Sequence, residues 1–327
     1  MLPIAVDAMG GDHAPTEIVA GARRAASELD VPVVLVGPPD AVGDTAGLEL
    51  VACTEVIDMH EEGARAVRRK KDSSLVRCAE LVRDGHASAM VSAGNTGATV
   101  AAALLRMGRL KGVNRPAIAT PIPVPGSSPT VLLDAGANAE VQAPWIVQFA
   151  QMGSAFAEAR FGVVSPRVGL LNIGEEPTKG NDLAKEAHTL LSQTKGITFV
   201  GNVEGRDLLS DDVDVVVTDG FTGNVALKTL EGGMKFLRDA VFAALFSSEE
   251  AAKASEVVLP LLLPLAEELD PDSQGGAMAL GLDGVCIISH GSSSAKAIVN
   301  AIGVAREMVS RELVARVAAS VAVDPGS

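Results

Sequence analysis

Three short loops rich in glycine, serine, threonine and asparagine are the segments of this chain best suited to chemistry. The first holds Gly94-Asn95-Thr96-Gly97, the second is Asp219–Asn224 with Gly223 inside it, and the third is Ser289–Ser293. Each follows an apolar run typical of a buried strand and precedes a helical pattern. Free backbone N–H groups at a helix N-terminus favour an anion. We therefore predict a phosphate-handling site along one edge of a parallel sheet.

Other polar residues follow further strand-like runs, where ligands collect in open α/β sheets. They are Asp7, His13, Asp134, Asn172 and Lys179. Lys179 lies among helix-starting residues and can reach a phosphate as a point charge, although a plain surface lysine explains it equally well. His290 stands where a strand-like run meets the Gly-Ser-Ser turn, and it is the histidine that this context favours for a functional role.

The sequence lacks the motifs that indicate metal binding, hydrolysis by a serine nucleophile or dinucleotide binding. Asp7, Asp12, Asp134 and Asp219 are oxygen donors, but their spacing does not mark them as ligands of one ion, so no metal is predicted. Neither the Gly-x-Ser-x-Gly turn of hydrolases nor a dinucleotide fingerprint after the first strand occurs, and no cofactor is expected. The three cysteines match no zinc or disulfide framework, which fits a reducing cytoplasm.

Composition narrows the classes of partner. The chain has 327 residues and a net charge of −14, which argues against nucleic acid. The apolar stretch Val257–Ala266 is broken by two prolines and is far shorter than the ~20 residues of a membrane span. Positive charge is concentrated in two clusters, Arg65, Arg68, Arg69, Lys70 and Lys71, and then Arg106, Arg109, Lys111 and Arg115. Charge alone favours solvated surfaces, although such patches can attract an acidic partner over ~8 Å.

Strand-like and helix-like patterns alternate along nearly the whole chain. Near-continuous runs of Val, Ile and Leu such as Ala89–Ser92 and Val285–Ile288 predict a largely parallel sheet that is covered on both faces. Amphipathic segments such as Thr16–Glu28 and Ser74–Arg83 predict the covering helices. Residues 1–327 are expected to form a single α/β domain.

Residues 229–272 depart from this alternation. Two helical segments, Leu230–Phe246 and Glu249–Leu269, follow one another with no strand between them. Such a helical arm would expose an apolar face that includes Leu261–Leu263, unless a second copy or a lipid surface covers it. We favour a dimer, because the prolines and acidic residues of the segment suit a membrane poorly.

The blocks that carry these features resemble one known family. Ile4–Pro15 is similar to the opening of the bacterial acyl-carrier-protein:phosphate acyltransferases of phospholipid synthesis. Five further blocks match in order, namely Ser92–Gly97, Asn172–Gly180, Val203–Leu209, Asp219–Asn224 and Ser289–Ser293. The resemblance implies a homodimeric, three-layer α/β/α enzyme related in fold to isocitrate and isopropylmalate dehydrogenases and to phosphotransacetylase. It also implies that inorganic phosphate attacks the thioester of a long-chain acyl-carrier protein, and that the acyl phosphate passes to a membrane glycerol-3-phosphate acyltransferase.

The resemblance also suggests roles for single residues. Asn95, Thr96 and Gly97, with Ser292 and Ser293, would hold phosphate. Lys179 would neutralise phosphate or the developing oxyanion, and Asn224 would donate to the oxyanion. His290 or His13 would manage the proton near the departing thiolate. The other expected substrate contacts are Asp7, Gly94, Asp134, Asn172 and Gly223. Because the family's carrier protein is acidic, the two basic clusters become candidate docking surfaces.

Two alternatives stay open. A phosphotransacetylase-like enzyme acting on short acyl-CoA would share the fold and the phosphate loops. A protein of a different class, a non-catalytic phosphate- or lipid-binding module, is the second alternative. The family's arm is often basic and attaches peripherally to membranes, whereas Ser248–Asp270 carries a single lysine, Lys253. Membrane attachment would therefore depend on apolar residues such as Leu261–Leu263.

Overall fold

A computed structural model describes residues 1–321, and eleven strands in this part of the chain form one sheet. The strands are β1 (Ile4–Asp7), β2 (Val33–Gly37), β3 (Glu49–Ala52), β4 (Ala89–Ser92), β5 (Ala117–Ile122), β6 (Thr130–Leu133), β7 (Arg167–Leu171), β8 (Thr198–Val203), β9 (Val215–Val217), β10 (Ala277–Leu280) and β11 (Val285–Ile288). Their order across the sheet is β3-β2-β1-β4-β11-β10-β5-β6-β9-β7-β8.

Helices cover both faces of this sheet. They are α1 (Thr16–Glu28), α2 (Pro39–Val42), α3 (Gly63–Arg69), α4 (Ser74–Arg83), α5 (Thr96–Arg106), α6 (Ala143–Phe161), α7 (Asp182–Gln193), α8 (Gly220–Leu245), α9 (Glu249–Ser255), α10 (Leu259–Glu268), α11 (Ala295–Ser310) and α12 (Leu313–Val321). Alternate residues of a strand pack against the helices on opposite faces of the sheet. In β1, Ile4 and Val6 pack towards α1 and α11, while Ala5 packs towards α4. The predicted three-layer, largely parallel α/β/α fold is confirmed.

The sheet reverses direction near its middle. Strands β3, β2, β1, β4 and β11 run parallel to one another, and so do β6, β9, β7 and β8. Between these halves, β10 is antiparallel to both of its neighbours, and β5 is antiparallel to β6. The two parallel halves therefore point in opposite directions.

Because of this reversal, the carboxyl ends of the strands lie at two opposite edges of the sheet. We call the carboxyl ends of β1, β4 and β11 the His290 rim, and those of β6, β9, β7 and β8 the Lys179 rim. The loops at Gly94–Gly97 and Ser289–Ser293 follow β4 and β11, whereas Asp219–Asn224 follows β9. The prediction that all three loops lie at one edge of the sheet is wrong, because the strand before the second loop runs the opposite way.

Two strands, β3 and β10, were not predicted from the sequence, and the structure explains why. Strand β3 is at the end of the sheet, and its residues Glu49–Ala52 are exposed or half-buried, so the apolar signal is weak. Strand β10 is buried, but its sequence Ala-Met-Ala-Leu contains no β-branched residue, and it follows the helical arm directly.

The helical arm differs in detail from the prediction. Helix α8 begins at Gly220, ten residues before the predicted Leu230, and continues without a break to Leu245. The predicted segment Glu249–Leu269 is divided into α9 and α10, and Pro260 occupies the first turn of α10. Among the described residues between 229 and 270, Ser255 is the only one that is buried. The prediction of a single domain spanning residues 1–327 stays a prediction, since its last six residues lie outside the described part.

The arm presents large apolar side chains to its surroundings. Those more than half exposed are Phe236, Leu237, Phe246, Val257, Leu261 and Leu263. Within residues 1–321, no helix combines the length and apolar character that crossing a bilayer requires.

Candidate active site

Three loops pack against one another at the His290 rim. They follow the adjacent strands β1, β4 and β11, which brings them together. The backbone N–H of Asp12 donates to the carbonyl of Gly291 at 2.7 Å. A Cβ atom at Gly10 would lie 2.7 Å from the nitrogen of Gly94, so only glycine allows this approach. The loops after the three strands thus form one continuous surface.

Asp7 lies beneath this surface rather than on it. Its side chain accepts hydrogen bonds from the Ser92 hydroxyl at 2.7 Å and from the Met9 N–H at 3.2 Å. The same Ser92 oxygen accepts the N–H of Gly94 at 3.0 Å. Burial raises the pKa of Asp7, although hydrogen bonds from Ser74 and Ser92 oppose the rise. Asp7 therefore supports the loop that begins at Gly94, and its predicted contact with substrate stays a prediction.

Asn95 is also committed to the protein itself. As the N-cap of α5, its Oδ1 accepts the N–H of Ala98 at 2.9 Å, and its Nδ2 donates to the carbonyls of Met59 and Glu61 at 2.8 and 2.9 Å. The backbone N–H groups of Thr96 and Gly97 lack an acceptor among the described residues, and both residues are exposed. These two groups are therefore the anion donors that α5 offers.

The loop after β11 offers fewer donors than its sequence suggests. Ser293 is buried, and its hydroxyl contacts that of Ser289 and donates to the carbonyl of His290 at 2.6 Å. The first turn of α11 already holds a carboxylate, since the N–H of Ala295 donates to Glu17 at 2.7 Å. An anion at that helix end would meet a like charge.

Two histidines at the His290 rim remain accessible. His290 and Ser292 are exposed, and the hydroxyl of Ser292 lies 2.8 Å from Nδ1 of His290. His13 is exposed on the loop after β1. Both histidines are therefore free to meet a substrate at this rim.

At the Lys179 rim, a buried carboxylate shapes the loop after β6. Asp134 accepts the backbone N–H groups of Ile118, Gly136, Ala137 and Asn138 at 2.8–3.1 Å, and also the Asn138 side-chain amide at 2.9 Å. Its side chain is fully buried, and burial raises its pKa against the opposing effect of these hydrogen bonds. Like Asp7, it lies under the loop that follows its strand, and its predicted contact with substrate stays a prediction.

Helix α8 begins directly against that loop. Asp219 caps the helix by accepting the N–H and the hydroxyl of Thr222 at 2.8 and 2.7 Å. A Cβ at Gly223 would lie 2.0 Å from the carbonyl oxygen of Asp134, so the two backbones are in direct contact. Asn224 follows, exposed, and its side chain lies beside Gly136.

Lys179 lies on the loop after β7. The amide of Asn172 folds this loop, because its Oδ1 accepts the N–H of Ile173 at 2.8 Å and its Nδ2 donates to the carbonyl of Lys179 at 3.2 Å. Lys179 is exposed and makes no ion pair within residues 1–321. Strand β9 lies between β6 and β7, so the loops that carry Asn224 and Lys179 are neighbours.

The first basic cluster belongs to the His290 rim. Helix α3 starts at Gly63, which packs against the backbone of Gly97. Arg69 and Lys70 form ion pairs with Glu61, which neutralises part of the cluster and lowers the pKa of Glu61. Arg65, Arg68 and Lys71 are exposed and have no ion pair in the described part of the chain. Their charges are available to a partner.

The second basic cluster lies at the Lys179 rim, where the Asn138 amide donates to the carbonyl of Pro116 at 2.8 Å. Most of its members already have partners. Arg106 pairs with Glu80 at 3.4 Å, Arg109 donates to the carbonyl of Asn114, and Arg115 lies 5.0 Å above the ring of Trp145. Lys111 is exposed. Only Arg106 has a carboxylate partner within residues 1–321, so each cluster leaves three cations without an ion pair.

Sequence reasoning missed the residues that hold these loops together. Ser92, Glu17 and Asn138 each connect segments that are distant in sequence or close a loop, as described above. Their residue types are common in turns and caps, and no local pattern distinguishes them. The repeated order of apolar strand, Asp, Ala and Gly after β1 and β6 is the one signal that could have paired Asp7 with Asp134.

Comparisons with known proteins agree along nearly the whole chain. A family model described as "Fatty acid synthesis protein" matches residues 2–316. A phosphate acyltransferase of Heliobacterium modesticaldum is 48% identical over 323 residues and 96% of each chain. Another, of Thermosynechococcus vestitus, is 47% identical over 97% of this chain and 94% of its own length.

Solved structures with the same architecture are more distant in sequence. A phosphotransacetylase from Streptococcus pyogenes matches with a TM-score of 0.63 at 17% identity, over 94% of both chains. A 4-hydroxythreonine-4-phosphate dehydrogenase from Klebsiella pneumoniae matches with a TM-score of 0.55 at 13% identity, over 94% of this chain and 100% of the other. At these identities the likeness shows the fold alone.

The fold and the relatives together define an acyltransferase built on a three-layer α/β/α sheet. The chain belongs to the phosphate acyltransferase family, whose members named above match it over at least 94% of their own length. The family predicted from the ordered sequence blocks is thereby confirmed.

Proposed function

We propose that this protein transfers a long-chain acyl group from acyl-carrier protein to inorganic phosphate, giving acyl phosphate for phospholipid synthesis. The observation that carries the proposal is the pair of exposed polar side chains, Lys179 and Asn224, on neighbouring loops of a chain in the phosphate acyltransferase family. The reaction needs no protein nucleophile, since phosphate supplies the attacking oxygen. Consistent with that, all three cysteines are buried, and burial raises the pKa of Cys53 to about 11 and of Cys286 to about 12.

The proposed chemistry divides between the two rims. At the His290 rim, the N–H groups of Thr96 and Gly97 hold phosphate, and Asn95 supports them. A phosphate oxygen attacks the thioester carbonyl, forming a C–O bond, and Lys179 and Asn224 donate to the resulting oxyanion. The C–S bond then breaks, and the departing thiolate takes a proton from His290 or His13. Oxyanion donors of this kind are each worth ~100–1,000-fold in rate.

The strands that precede these two sets of residues run in opposite directions, so the loops leave opposite edges of the sheet. Strands of three to six residues span about 10–20 Å at ~3.3 Å per residue. We therefore propose a homodimer in which the Lys179 rim of one copy faces the His290 rim of its partner. A twofold arrangement makes two equal sites, each incomplete without the other copy.

The exposed apolar face of the arm supports association. Side chains such as Phe236, Leu237 and Leu261 are 65–76% exposed in a single copy, and such a patch marks an interaction surface. We assign the face primarily to the dimer. A peripheral contact with the inner face of the cell membrane, beside a glycerol-3-phosphate acyltransferase, is the second role proposed for this cytoplasmic protein.

Docking of the acidic carrier protein is proposed at the basic clusters. Arg65 and Arg68 on α3 have the strongest claim, since they are exposed and lie beside the phosphate-binding turn of α5. Lys111 and Arg109 at the other rim are the second candidates. In the proposed dimer both clusters would flank the same composite site.

The test is release of free carrier protein from palmitoyl-acyl-carrier protein, with and without inorganic phosphate. Phosphate-dependent release, with acyl phosphate trapped as its hydroxamate, is the expected result. Turnover of short acyl-CoA with no turnover of the carrier-bound substrate would instead assign a phosphotransacetylase-like reaction. Silence with both substrates would leave a phosphate- or lipid-binding module.

A further inference from the structure

The carboxylate of Asp134 lies under the contact between two loops of the Lys179 rim. Its Oδ1 accepts the N–H groups of Ile118, Gly136 and Ala137, and its Oδ2 accepts the N–H and side-chain amide of Asn138. Five donors on one carboxylate hold residues 135–138 in a single tight conformation. Because Ile118 belongs to β5, the same group also ties this loop to the sheet.

The loop held by Asp134 sets the position of the first turn of α8. The N–H of Gly220 donates to the carbonyl of Asn138 at 2.8 Å. Gly223 is in backbone contact with the carbonyl of Asp134, and a side chain there would collide with it. Both ends of the turn that precedes Asn224 are thus fixed by the loop that Asp134 shapes.

Asn224 itself meets that loop. A Cβ built at Gly136 would lie 3.6 Å from the Cβ, Cγ and Oδ1 atoms of Asn224, so the glycine lies against the face of the amide. No hydrogen bond within residues 1–321 fixes this amide. Its orientation therefore depends on the packing of Gly136 and on the start of α8.

We propose that Asp134 is a positioning residue that acts through Asn224. It does not touch substrate, since it is fully buried beneath its own loop. It aims the Asn224 amide at the oxyanion by fixing residues 135–138 and the first turn of α8. This inference rests on the proposed role of Asn224 in the acyl transfer and adds the residue that sets its geometry.

The experiment is a double-mutant cycle of Asp134→Asn and Asn224→Ala, measured as phosphate-dependent release of carrier protein. In Asp134→Asn, the new amide nitrogen faces the Asn138 donors and the loop moves. We expect a loss in kcat of about 100-fold, as a displacement near 1 Å can produce, with KM for phosphate within about twofold. In the Asn224→Ala background the same change should have almost no effect.

Two further variants keep the test decisive. Asn138→Ala removes fewer contacts than Asp134→Asn, so it serves if the latter unfolds, and it too should have no effect once Asn224 is alanine. Asp7→Asn is the matched control, a buried aspartate of the other rim whose effect should multiply with that of Asn224→Ala. A loss of folded enzyme would lower activity by the same factor whether or not Asn224 is present. A loss of positioning would lower activity only where Asn224 is present, so the two effects can be told apart.

The outcomes distinguish the two ideas. If Asp134→Asn lowers activity by the same factor in both backgrounds, Asp134 supports the fold alone and the inference is overturned. If Asn224→Ala itself keeps wild-type turnover, the proposed role of Asn224 fails, and the role of Asp134 fails with it.

Discussion

At both rims of the sheet a buried aspartate holds the loop that follows its strand, but the hydrogen bonds that it accepts differ. Each rim has an aspartate directly at the carboxyl end of a strand, followed by alanine and a glycine turn, and each aspartate is buried under its loop. Asp7 works mainly through the Ser92 hydroxyl, which relays the contact to Gly94. Asp134 accepts four backbone N–H groups directly. At both rims, a strand-end aspartate thus shapes the loop that follows its strand.

The rims also differ in what they leave open. The His290 rim offers the backbone N–H groups of Thr96 and Gly97 and two exposed histidines. The Lys179 rim offers side chains, the ammonium of Lys179 and the amide of Asn224. The first set suits the binding of an anion and the transfer of a proton, and the second suits an oxyanion. Neither rim holds the complete set, which is why we join them across a dimer.

The largest expected effect is at Lys179. Replacing it with alanine removes an exposed cation that has no ion pair within residues 1–321, and we expect a loss of ~100–1,000-fold in kcat, as for other oxyanion donors. Lys185→Ala is the matched control, since Lys185 is exposed on α7 close by in sequence. Steady-state release of carrier protein measures both variants. Turnover of Lys179→Ala equal to that of the control would remove Lys179 from the site.

A smaller effect is expected at the docking surface. The double reversal Arg65→Glu with Arg68→Glu should raise KM for the carrier protein at least several-fold and leave kcat nearly unchanged. Because exposed charges are screened, the effect should shrink as salt is added. Arg316→Glu on α12, which packs on the opposite face of the sheet, is the control. If the double variant and the Arg316→Glu control had equal KM values for the carrier protein, α3 would be an ordinary solvated surface.

The smallest effect concerns stability and its dependence on pH at Asp7. Burial raises the pKa of this carboxyl above its unfolded value, so the folded protein holds the proton more tightly than the unfolded chain does. The carboxyl then stabilises the fold most below its unfolded pKa, near 4, and loses this contribution as pH rises through the folded pKa. Each unit of the rise corresponds to about 1.4 kcal/mol.

Urea unfolding of the wild type and of Asp7→Asn measures this effect. The substitution should cost more stability at pH 4 than at pH 8. Asp84→Asn provides a control of opposite sign, because the neighbouring Arg83 lowers the pKa of Asp84. A cost of Asp7→Asn that grows with pH would contradict the assignment.

The strands and helices were largely readable from the sequence, and the reasons are local. Ala89–Ser92 and Val285–Ile288 were predicted with their observed bounds, because a strand buried on both faces is apolar throughout. Thr16–Glu28 and Ser74–Arg83 were predicted just as closely from their amphipathic spacing. The core of each element carries its own signal.

The order and direction of the strands were not readable in this way. The reversal depends on β10 inserting between β11 and β5, a pairing between residues about 160 positions apart that no local pattern encodes. The hydrogen-bond partners of single side chains could not be predicted either, because they too depend on the folded arrangement. Asn95 and Asn172 have the residue type and loop position of ligands, but they are used as a helix cap and a loop clamp.

The most direct test of the composite site uses a mixed dimer. Copies carrying Lys179→Ala and copies carrying both His290→Ala and His13→Ala, with different tags, are expressed together and the dimer that holds one of each is isolated. In a site shared between copies, one of the two sites regains Lys179 and both histidines. The mixed dimer should then turn over at about half the wild-type rate, while each parent dimer stays nearly inactive. A mixed dimer as inactive as its parents would show that the residues act within one chain and would contradict the account.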